Sequence, residues 1–162
     1  MEAITSVFTV VPLDYFVLGG IVLVIALDSL RSGIGRACAL AVALPVSMLL
    51  YSLLDKAALL SSVGALFATP LAQALTFAVI LALSYLLARR MGLEFVDGGM
   101  GEPIQSLIAG VAIAMIFVVI WLQLPALESL WHFNTQVSAV FAEPFRLWWL
   151  LGAYAALAFA RG

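Results

Sequence analysis

Long uncharged stretches alternate with short polar ones along this chain, and the stretch from Pro103 to Leu127, PIQSLIAGVAIAMIFVVIWLQLPAL, carries the clearest signal. At 1.5 Å rise per residue, Pro103 to Leu124 makes a helix of about 33 Å, enough to cross a hydrocarbon core of about 30 Å. A glycine cluster (Gly98, Gly99, Gly101) precedes it, Pro103 suits its first turn, and Pro125 stops it. Trp121 falls near the far end, where an indole prefers the membrane interface.

The same reading places three further spans at about 10–27, 37–54 and 71–88. The first carries Asp14 one turn inside, which suits the positive end of the helix dipole. It is read as a shallow, water-reaching cap rather than a buried functional carboxylate. Asp28, Ser29, Arg31, Ser32, Gly33 and Arg36 then form a polar turn. The second span has Pro45 at its middle, a packing kink that membrane helices tolerate when neighbours compensate. Residues 57–88 hold no charge and are too many for one crossing. Thr69 and Pro70 provide a cap and a first-turn proline for the third span. Residues 57–68 are left as an interfacial or re-entrant half-helix.

Beyond the fourth span, Leu130, Phe133, Val137, Val140 and Phe141 recur at helical spacing, opposite Glu128, Asn134, Gln136 and Glu143. This pattern predicts an amphipathic helix on the membrane surface with Trp131 at the interface. Residues 145–160 suit either a short fifth crossing or an interfacial helix, the crossing being preferred. The expected architecture is a single all-α membrane domain over residues 1–162.

Composition agrees. Hydrophobic residues make up 65% of the chain and charged ones 10%, with mean hydropathy +1.20. A soluble fold of this size cannot hide so much apolar surface, so lipid has to cover it. A net charge of −2 without a basic tract argues against nucleic acid as a partner. The single cysteine, Cys38, excludes an intrachain disulfide. MEAITSVF lacks the positive region of a cleaved signal peptide, so the first span is expected to stay as an anchor. Placing Arg31, Arg36, Arg89, Arg90 and Arg161 on the cytoplasmic side, against Lys56 and Arg146 outside, sets the N-terminus outside and the 91–102 connection in the cytoplasm.

Candidate chemistry is sparse. His132 is the sole histidine, and Glu128 four residues earlier makes at most half a metal site. No nucleophile–base constellation can be named, and neither a catalytic set nor a cofactor is expected. Ser106, Gly110 and Ala114 repeat at four-residue spacing, a small-residue stripe for close helix packing, within the chain or between copies. Ala39 and Ala43 form a weaker stripe.

Two regions carry a family resemblance. Leu13-Asp14-Tyr15 heads the first span, followed by Ser32-Gly33-Ile34-Gly35-Arg36; Gly92-Leu93-x3-Asp97-x3-Gly101 precedes the fourth. In order and spacing around four hydrophobic spans, residues 13–124 resemble the colicin V production protein family of bacterial inner-membrane proteins. Ser32, Ala37 and Gly98 stand where that family has charged residues, and Gln105 where it has glycine. The resemblance implies a role in colicin secretion and envelope homeostasis, with Asp14, Gly33, Arg36, Gly92, Asp97 and Gly101 as positioning residues.

The expectation is therefore a non-enzymatic bacterial inner-membrane protein, acting in envelope function or export through association with itself or another membrane protein. The alternatives are a channel or transporter subunit, or a lipid-acting enzyme using Asp14 or His132.

Overall fold

The computed structural model describes residues 12–56, 69–93 and 102–161, and every regular element among them is helical. α1 (Leu13–Ser32) and α2 (Gly35–Lys56) form a hairpin. α3 (Pro70–Ala88) widens into a π-helical turn over Arg89–Leu93. α4 (Pro103–Trp121) is followed by two short helices, α5 (Pro125–Glu128) and α6 (Thr135–Val140). A 3-10 turn (Glu143–Phe145) leads into α7 (Arg146–Arg161). The helices α1 to α4 are long and apolar enough to cross a membrane. This is an all-α membrane protein.

The polar residues expected in a turn at 28–36 instead belong mostly to helices. α1 continues through Ser32, and only Gly33 and Ile34 separate it from α2. Gly33 makes this possible: it sits at φ 81, ψ 164, a region open essentially to glycine alone, while its N–H bonds to Ser29 O at 2.9 Å. Arg36 then reaches back across the reversal, donating to Asp28 Oδ1 at 2.7 Å and to Ser32 Oγ at 2.8 Å. The expected half-helix at 57–68 lies outside the described residues, as do Asp97 and Gly101. Gly92 falls in the π-helical turn.

α4 is the post of the bundle. It is 56% buried over its spanning window, against 17%, 33% and 17% for α1, α2 and α3, and it packs on α1, α2 and α7. The small-residue stripe faces inward. Ser106, Gly110 and Ala114 are all buried, and a Cβ built on Gly110 would lie 2.6 Å from the backbone oxygen of Val22 and 3.4 Å from Ala26 Cβ. Lipid tails are as apolar as leucine, so helices in a bilayer gain little from hiding apolar surface and much from such close backbone approach. The stripe holds α1 against α4 within one chain. α3 hangs at the edge, packed on α2 with Tyr51 meeting Phe77 edge-on at 6.0 Å.

Pro45 lies inside α2, which runs unbroken from Gly35 to Lys56. Proline has no N–H, so the carbonyl of Ala41 loses the donor that residue 45 would give it. The Tyr154 hydroxyl on α7 donates to Ala41 O at 2.8 Å. A neighbouring helix thus repairs the gap, as hydrocarbon requires. The same bond ties α7, which packs chiefly on α4, to α2, and Ala153, Leu157 and Ala160 of α7 are buried in the common core.

Two outcomes follow for the protein in detergent micelles. Gly110→Ala should lower stability by about 1–3 kcal/mol, because the new methyl meets backbone, whereas Gly152→Ala, with nothing within 4 Å of its Cβ, should change it by less than about 0.5 kcal/mol; thermal unfolding of both checks this. Tyr154→Phe should cost about 1 kcal/mol in the native sequence and almost nothing in a Pro45→Ala background, where residue 45 supplies the missing donor; a double-mutant cycle reads the difference.

Candidate functional site

The polar centre of the described structure lies where the start of α1 meets the chain that follows α4. Pro12 precedes α1 and Asp14 stands in its first turn, where a carboxylate suits the positive end of the helix. Asp14 is not the water-reaching cap that its position predicts. Its side chain caps nothing in α1, and the residue is only 5% exposed.

Its two oxygens instead accept from residues more than a hundred positions away. The Trp131 indole N–H donates to Oδ1 at 2.9 Å, and the Asn134 backbone N–H donates to Oδ2 at 2.6 Å. Hydrogen bonds to an ionised acceptor are roughly twice as strong as neutral ones, which offsets the cost of taking the carboxylate out of water. Beside it, the Tyr15 hydroxyl donates to Gln136 Oε1 at 2.9 Å. The Trp121 indole donates to Trp131 O at 3.0 Å, locking the end of α4 to the same segment.

These bonds explain why the amphipathic helix expected over 130–141 does not form as one piece. Residues 131–134 run without helix, and helix resumes only at Thr135. A continuous helix would commit the Asn134 N–H to its own ladder. Here that N–H goes to Asp14, and Asn134 Oδ1 accepts from the Val137 N–H at 2.8 Å to start α6 afresh. Val137 is buried as its periodicity predicts, while Leu130 and Val140 stay exposed. α6 is tied in turn to α7, where the Trp149 indole donates to Val140 O at 2.8 Å and the Phe141 ring lies 5.1 Å from that of Trp149.

Beneath the carboxylate is a small apolar cleft of about 190 Å³ between Val17, Ile21, Phe117, Trp121, Trp131 and Phe133. Trp121 stacks at a tilt on Phe117 (5.3 Å) and edge-on to Phe133 (6.2 Å). Both oxygens of Asp14 are engaged, so the arrangement acts as a tie between helix ends. His132 and Glu128 are exposed.

Of the residues singled out from the sequence, Asp14 lies in this cluster; Gly33 and Arg36 belong to the α1–α2 reversal, and Ser106, Gly110 and Ala114 to the α1–α4 seam. The structure does not bring these three groups into one site. The hydroxyls of Ser84 on α3 and Ser106 on α4 are buried and have no hydrogen-bond partner among the described residues. Trp131, Asn134 and Gln136 are the site residues that periodicity concealed. An asparagine just ahead of Thr135 is the one local signal, as a helix start. No family model matches the chain, and no curated protein or solved structure matches it significantly.

Replacing Asp14 with alanine should free the 131–134 segment. The Asn134 amide should then exchange about thirtyfold faster, the equivalent of about 2 kcal/mol, while Asp14→Asn, which keeps an acceptor, should show a smaller rise. Hydrogen–deuterium exchange on residues 129–141 in micelles measures both.

Proposed function

We propose that this chain is a non-enzymatic bacterial inner-membrane protein similar to the colicin V production family, acting in envelope homeostasis or export by associating with itself or with another membrane protein. The observation that carries the reading is the use made of Asp14. The carboxylate that heads the resemblance is closed off by Trp131 and Asn134 and positions helix ends. Gly33 and Arg36, shared with the same motif, shape the α1–α2 reversal. Positioning, rather than turnover, is the common theme of these residues.

In this reading the N-terminus faces outward, the 91–102 connection is cytoplasmic, and α7 enters the membrane as a short fifth crossing. The bond from Tyr154 to Ala41, two turns into α2, supports that depth for α7. Because the Ser106–Gly110–Ala114 stripe is occupied by α1, association between copies would use other faces. The ridge of α3 formed by Leu71, Leu75, Val79 and Leu83 is more than half exposed and available. The interhelical clefts described above and below are lined almost wholly by apolar side chains, which favours a scaffold over a water-filled path.

Crosslinking in native membranes tests the proposal. Cysteines placed along the α3 ridge should capture a second copy or a distinct membrane protein. A chain that stays monomeric and partner-free under these conditions removes the reading.

A further inference from the structure

On one side of the bundle, beside the packed α4–α7 pair, lies a groove of about 590 Å³. Leu107, Ile108, Val111 and Met115 form one wall, Phe145 and Trp148 the other, and Gly152 lies along it with open space over its Cα. One end of the groove is marked by charge. Arg146 follows the lining residue Phe145 and is half-buried. Its Nε donates to Phe141 O at 3.2 Å, and its side chain makes no other hydrogen bond and no ion pair among the described residues, although Glu143 stands one turn earlier. Trp148 lines the groove two residues on, and its indole N–H is likewise without a partner among the described residues.

We infer that this groove holds one acyl chain of a phospholipid whose phosphate is bound by Arg146. Length supports it: from Arg146 to Ala156, which lines the far end, is ten residues of helix, about 15 Å, half of a hydrocarbon core of about 30 Å. The groove is therefore about as long as a single leaflet is deep. Charge supports it too. Arg146 does not line the groove, but a cation one residue from its end is complementary to an anionic headgroup above a hydrocarbon tail, and a guanidinium binds phosphate through paired N–H donors. A second copy of the chain fits less well. Helices pair in membranes through small residues and interhelical hydrogen bonds. Here bulky side chains stand at the rim, with Leu107, Phe145 and Trp148 all more than half exposed, and the Trp149 indole is already bonded to Val140 O. A flexible tail can follow such a surface. The inference rests on the membrane fold and not on the family reading, so each can fail alone.

The test uses the full chain in lipid nanodiscs containing phosphatidylglycerol with a photoactivatable acyl chain, and in parallel a neutral diacylglycerol carrying the same chain. Peptide mapping should show residues 107–115 and 145–156 labelled by the phospholipid about tenfold above the exposed α3 ridge. Gly152→Leu, whose side chain enters open space and should leave the helical circular dichroism unchanged, should abolish that excess. Arg146→Gln should bring phospholipid labelling down to the diacylglycerol level. Competition with unlabelled phosphatidylglycerol, which requires no variant, should saturate the excess. Labelling equal to that of the α3 ridge, an excess indifferent to both substitutions or to competition, or crosslinks from the groove to a second copy would each overturn the proposal.

Discussion

Hydrocarbon gives a polar group nothing to bond with, so a carboxylate or an open backbone carbonyl carried into the bilayer is stabilised by a partner within the protein. Two such groups bind this bundle together. One is the carbonyl of Ala41, left open by Pro45 and met by Tyr154. The other is the Asp14 carboxylate, met by an indole and a backbone amide. Each partner comes from a distant part of the chain, so satisfying the group also fixes where a helix lies. The proline gap ties α7 to α2, and the carboxylate places the 131–134 segment over the start of α1. In water both groups could be hydrated, and neither would impose an arrangement. Packing alone would be a weaker guide here, since exchange of lipid for leucine against a helix face is nearly neutral.

The sides of α4 illustrate the two ways a membrane helix can be met. Toward α1, glycine brings backbone close enough that one added methyl would collide with Val22 O. Toward α7, which packs on α4 almost as extensively, bulky aliphatic and aromatic side chains line a groove beside the contact. Residue size along one helix thus decides where backbones meet and where side chains leave a groove at the surface.

Much of the fold could be read from the chain. Four long apolar helices and a small-residue stripe on α4 follow from hydropathy and spacing, because a helix in lipid is specified largely by its own sequence; that the stripe meets α1 rather than another copy was not legible. What escaped reading was long-range. The periodicity of Leu130, Phe133, Val137 and Val140 pointed to one surface helix, and nothing local said that Asp14 would take the Asn134 amide away from it. Likewise the sequence showed that Pro45 needed compensation, but not that Tyr154 would supply it. The polar run at 28–36 was misassigned for a local reason. Hydropathy marks where a helix leaves oil, whereas hydrogen bonding decides where it ends, and Gly33 let α1 continue to Ser32.

The tie at Asp14 also sets a timetable. Its partners lie 117 and 120 residues further along the chain, and at about 5–20 residues per second a ribosome needs roughly 6–24 s to reach them. During that interval the first helix has to reside in the bilayer with its carboxylate turned to the headgroups. The bundle can then be sealed only after the fourth helix has been delivered, so closure at this end belongs to the last stage of biogenesis.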